Sequence, residues 1–67
     1  MTDPSALWQL TEAELRCLMV MRDADSEADG ARRAKMNRHT FHAHLRNART
    51  KLGVATTRQA IATLIHK

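Results

Sequence analysis

Four apolar residues, Phe41, Leu45, Ala48 and Leu52, recur at steps of four, three and four across the stretch NRHTFHAHLRNARTKLGV, Asn37 to Val54. That is the spacing of one face of an α-helix, whereas a strand would repeat every second residue. A helix with such a stripe must bury it, so the rest of the chain has to supply a body to pack against. His39, His42, Arg46 and Arg49 recur at steps of three, four and three on a different face. Asn37 suits an N-cap and Gly53 a C-terminal stop, which predicts a helix over about 38–52. No acidic residue occurs in the stretch. One face to bury and one basic face to present is the pattern expected of a helix laid on nucleic acid.

The chain has 67 residues, enough for one domain near the lower limit for folding without a disulfide or metal. A domain of this size buries only about 60% of the surface its unfolded chain exposes, which leaves little room for a substrate cleft. The single cysteine, Cys17, has no internal partner, as suits a reducing compartment. No apolar run approaches the roughly 20 residues that span a bilayer, and MTDPSALWQ lacks the features of a signal peptide. A cytoplasmic, nucleoid-associated protein without membrane contact is expected. The charge is sharply divided. All seven acids lie before residue 30, with only Arg16 and Arg22 among them, while residues 30–67 hold nine bases and no acid. Segregation of this kind points to a polyanionic partner for the C-terminal half.

Residues 1–9 read as a short arm, whose Leu7 and Trp8 either fold back as an apolar lid or touch a partner chain. In LTEAEL, Thr11 and Glu14 have the spacing of a capping box, and Leu10 and Leu15 that of a hydrophobic staple. A helix over about 12–22 follows, with Leu15, Leu18, Met19 and either Met21 or Arg22 on its inward side. The polar DADSEAD segment leads to a short helix capped by Ser26 and running through Ala34. That helix is the weakest element by composition, because Gly30 costs on the order of 1 kcal/mol relative to alanine and only alanine methyls are available to bury. Met36 and Asn37 form a tight turn, and Thr56 or Thr57 caps a last helix over about 57–65. The expected architecture is all-α, a four-helix domain over residues 10–67 containing a helix-turn-helix.

The letters of these elements resemble the LuxR-type, or GerE-like, DNA-binding domain. That family's pattern opens Leu-Thr-x-x-Glu, and Leu10, Thr11 and Glu14 match it. Its centre runs Ser-x-x-Thr-Val-Lys-x-His; Thr40 and His44 match, with Asn37 in place of serine, Phe41 in place of valine and His42 in place of lysine. Lys51-Leu52-Gly53-Val54 and Gln59-Ala60 match its end, in register and without gaps, over about residues 10–65. The second helix departs: the family has Ile-Ala-x-x-Leu where this chain has Gly30-Ala31-Arg32-Arg33-Ala34.

The resemblance implies a transcriptional regulator that reads duplex DNA with residues 38–52 in the major groove, acting as a homodimer through Ile61, Leu64 and Ile65 of the last helix. His42, Ala43 and Arg46 match its base- and phosphate-reading positions, with Arg38 and His39 near the helix start. Chemistry agrees, since an arginine fork suits guanine, imidazole meets a base edge, and alanine permits close approach. Arg38, Arg49 and Lys51 are expected to hold phosphates. No metal or other cofactor is expected: His39 and His42 share a face, but His44 points elsewhere and no cysteine or carboxylate accompanies them. No nucleophile–base pair or phosphate loop suggests an enzyme. An alternative of a different class is a small antagonist or co-regulator, pairing with a full-length LuxR-type regulator, RNA polymerase or another transcription protein.

Overall fold

A computed structural model of the chain describes residues 9–65, the side chain of Ile65 excepted. The arm expected over residues 1–9, with Leu7 and Trp8, therefore lies outside the described residues except for Gln9. Four helices and no strand make up the described part: α1 (Glu12–Asp23), α2 (Glu27–Ala34), α3 (Arg38–Leu52) and α4 (Thr57–Ile65).

Each helix begins where a side chain takes over an orphaned backbone N–H. Thr11 Oγ1 accepts from the Glu14 N–H, and Glu14 Oε1 accepts from the Thr11 N–H, completing the capping box. Ser26 Oγ accepts from the Asp29 N–H, and Asn37 Oδ1 from the His39 N–H. Thr56 Oγ1 accepts from the Gln59 N–H while Gln59 Oε1 accepts from the backbone N–H groups of Ala55 and Thr56, a second reciprocal box. Two helices end on a left-handed residue. Gly53 closes α3 at φ 70°, and Lys35 closes α2 at φ 59°, the only described non-glycine residue with positive φ. In both places the next N–H bonds back into the helix, Met36 to the Ala31 carbonyl and Val54 to that of Arg49. The connection from α2 to α3 is thereby reduced to Lys35, Met36 and Asn37.

The core is Cys17 and Leu18 from α1, Ala31 and Ala34 from α2, Phe41, Leu45 and Ala48 from α3, and Ala60 from α4. Helix α1 packs on the other three, and α3 packs on α1, α2 and α4. The α1 face differs from expectation. Leu15 and Met19 are 41% and 46% exposed, and the inward side is Glu14, Cys17, Leu18 and, partly, Met21. The helix is turned by about one residue from the phase its leucines suggest, because a buried acid on that side has a cation to meet. Cys17 is fully buried, its thiol donating to Met36 Sδ at 3.6 Å, and burial pushes its pKa up. It is a packing residue rather than a nucleophile.

Helix α2 looked weak in sequence because of Gly30, and the structure shows why glycine is there. A Cβ at this position would lie 2.7 Å from Phe41 Cζ and 2.7 Å from Met21 Sδ. The fully buried ring of Phe41 occupies the place where a side chain at position 30 would sit. We expect Gly30→Ala to lower unfolding stability by about 1–3 kcal/mol despite alanine's better helix propensity, because the fully buried ring would have to shift. In a Phe41→Leu background the same change should cost much less, a coupling measurable by urea denaturation of the four proteins in the cycle.

Candidate nucleic-acid interface

The apolar stripe of α3 faces the body, with Phe41, Leu45 and Ala48 fully buried and Leu52 half-buried. On the other side, Arg38, His39, His42, Ala43 and Arg46 are all exposed, as are Asn47 and Thr50. Five of the seven residues expected to meet a ligand thus lie on one outward surface of a capped, fifteen-residue helix. Among the described residues, the side chains of Arg38 and Arg46 make no ion pair and no hydrogen bond. Their guanidinium donors are open to an external acceptor.

The other two are held elsewhere. Lys51 was expected at a phosphate, but its ammonium donates to Glu14 Oε1 at 2.7 Å and to the Gln9 carbonyl at 3.1 Å. The Glu14 side chain is only 5% exposed. Burial works against its charge, but the hydrogen bonds from Lys51 and the Thr11 N–H, with the Lys51 and His44 charges, outweigh that and hold its pKa below the ordinary value. Lys51 therefore ties the end of α3 to the start of α1. Arg49, half-buried, donates to Thr57 Oγ1 at 2.9 Å and so braces α3 against the first turn of α4. Both residues serve the scaffold in place of the outward surface.

Sequence also missed an acid. Glu27, at the first position of α2, lies 2.8 Å from His42 Nδ1, so the acid-free stretch gains a carboxylate from a neighbouring helix. No local spacing could reveal this, because the partners are fifteen residues apart and on different elements. The α2 arginines are likewise partnered: Arg32 Nη2 and Arg33 Nε donate to Asp29 at 2.7 and 2.9 Å. The Arg32 bond, with those from the Asp25 N–H and Arg33, keeps the Asp29 pKa low.

On α4, Ile61 and Leu64 are half-buried against the core, and Ala60 is fully buried. The third expected dimer residue, Ile65, has its side chain outside the described residues. His44 is half-buried, apart from the outward surface. No group of three or more His, Cys, Asp or Glu side chains comes together to hold a metal among the described residues. Nor is any described helix long and apolar enough to cross a membrane. Compared with models of known protein families, with curated proteins and with solved structures, the chain matches none.

The Glu14–Lys51 pair makes a test of the scaffold. Lys51→Met leaves a buried carboxylate with only the Thr11 N–H, and we expect it to lose about 1.5–3 kcal/mol of stability at neutral pH. The sign of the pH effect follows from the depressed folded pKa. The contribution of Glu14 is complete above the usual glutamate value of about 4.3 and is lost as pH falls through the lower folded value. Denaturation midpoints from pH 7 to pH 2.5 should therefore fall more steeply for wild type than for Lys51→Met, the two curves converging in acid.

Proposed function

We propose that this chain is a LuxR-type helix-turn-helix domain that binds double-stranded DNA and regulates transcription. Helix α3 is the recognition helix, α2 and the Lys35–Asn37 connection complete the motif, and α4 joins two copies in a homodimer. The observation that carries this reading is the outward surface of α3, where Arg38, His39, His42, Ala43 and Arg46 are exposed together and both arginines lack a described partner. A helix of fifteen residues is about 22 Å long and narrow enough for the major groove, whose width is about 12 Å. Arg46 offers a donor fork to guanine O6 and N7, Ala43 allows the helix to approach closely, and His42 meets a neighbouring base edge.

Phosphate contacts fall to Arg38 and to Lys35, which is exposed in the connection. The first turn of α3 carries no acid where the helix dipole favours negative charge, which suits a phosphate there. Arg49 and Lys51 act at one remove, by fixing α3 to α4 and α1. The half-buried Ile61 and Leu64 give α4 an apolar side that a second copy would cover, and two recognition helices about one turn of DNA apart would then read a two-fold related site.

Duplex binding should weaken steeply with salt, each phosphate contact contributing about 0.9 to the slope of log K against log salt. Arg46→Ala is expected to reduce affinity for a selected site by about tenfold or more, whereas Arg38→Ala should weaken all sequences alike and lower the slope by about one. Equal, salt-insensitive binding by wild type and Arg46→Ala in a fluorescence anisotropy titration would sink the proposal.

A further inference from the structure

The contact between His42 and Glu27 bears on more than packing. It engages one particular ring atom, Nδ1, at 2.8 Å from Glu27 Oε1. An ionised carboxylate only accepts, so Nδ1 must carry the proton of this bond. In a neutral imidazole one nitrogen donates and the other accepts, and the partner of the first decides the character of the second. In the neutral ring, with Nδ1–H turned to α2, Nε2 is the bare nitrogen. The His42 side chain remains 53% exposed, and Nε2 has no partner among the described residues.

The arrangement is built by the ends of two helices. Glu27 is the first residue of α2, placed by the Ser26 cap, and His42 is in the second turn of α3 beyond the three-residue connection. One turn further along α3, the exposed Arg46 has donors only, and Ala43 beside it has no polar atom. Without Glu27 the same surface would carry an imidazole free to rotate and to exchange tautomers. With it, the surface presents an acceptor at position 42 and a donor fork at position 46.

Resting on the proposed function, we infer that Glu27 is a positioning residue that sets the hydrogen-bond polarity of His42. It holds Nδ1 as a donor to α2 and leaves Nε2 as an acceptor for the exocyclic amine of adenine or cytosine. Those amines are the donors that the major groove offers, and guanine O6 and N7 are the acceptors that answer Arg46. Glu27 touches no base. It also keeps a negative charge near the basic surface, which weakens attachment to phosphates while sharpening the choice of base.

Two measurements on wild type, Glu27→Ala and Glu27→Gln test this. The first is a long-range ¹H–¹⁵N correlation spectrum of the histidine rings at the pH of the binding assay. Wild type should show His42 with a protonated Nδ1 and bare Nε2. Glu27→Ala should move it toward Nε2–H, and Glu27→Gln, whose amide oxygen still accepts, should preserve the wild-type pattern. The second is selection of bound sites from random duplexes. Glu27→Ala should bind random duplex at least as tightly as wild type, and should lose about fivefold of adenine or cytosine preference at one position, which Glu27→Gln retains. A wild-type His42 that is Nε2–H, or doubly protonated, overturns the inference, as does an unchanged site preference in Glu27→Ala. Wild type that retains no duplex at low salt overturns the base-edge assignment together with the proposed function, while the spectrum alone still decides the tautomer.

Discussion

The ring of Phe41 has a place in this small body only because position 30 has no side chain. Among the described residues Phe41 is the largest fully buried side chain, and it sits where α1, α2 and α3 meet, within reach of Met21 and the Gly30 backbone. In a domain of 67 residues one aromatic ring is a large share of the apolar core. Glycine in α2 gives up helix propensity, but it lets α2 approach α3 closely enough for Ala31 and Ala34 to be buried as well. The outward face of α3 is fixed in consequence: with Phe41, Leu45 and Ala48 inward, residues 39, 43 and 46 face away, and His42 lies on the flank within reach of Glu27 on α2.

A second constraint is the internal pairing of charge. The bulk sequence suggests a strongly acidic half and a strongly basic half, yet the fold joins the two wherever they meet. Lys51 pairs with Glu14, His42 contacts Glu27, and Arg32 and Arg33 both reach Asp29. The Glu14 pair is well shielded and the others are largely exposed, so they differ in strength. Together they thin the basic surface to a few outward residues, Arg38 and Arg46 chief among them. Among the described residues, the exposed lysines and arginines in no ion pair are Arg38 and Arg46 on α3, Arg16 on α1, Lys35 in the connection and Arg58 on α4.

Element boundaries were legible in the sequence because capping chemistry is local. Thr11, Ser26, Asn37 and Thr56 each hold a backbone N–H two or three residues away, and Gly53 closes α3, so a reader of short spacings finds the helix ends. Faces were legible only where no long-range partner intervened. The stripe of α3 is inward as its periodicity requires. In α1, Leu15 and Met19 gave the wrong phase, since burying Glu14 depends on Lys51, 37 residues later. Nor could local spacing show that Lys51 meets Glu14 or that Glu27 reaches His42. Gly30 was visible as an oddity but not as a necessity, because what forbids a larger residue is the ring of a residue on another helix. Several letters shared with the LuxR pattern also have scaffold tasks here: Thr11 and Glu14 cap, Lys51 bridges, Gly53 turns, Gln59 caps and Ala60 packs.

The outward residues of α3 differ in what the body asks of them. Arg38, Ala43 and Arg46 have no described side-chain polar bond and are not part of the core, so the four-helix frame places little demand on their identity. Such positions are free to drift or to be rewritten, and chains with one common frame can diverge to address different ligands. His42 is the exception, since its ring is tied to another helix. Its identity and that of Glu27 would have to be inherited as a pair.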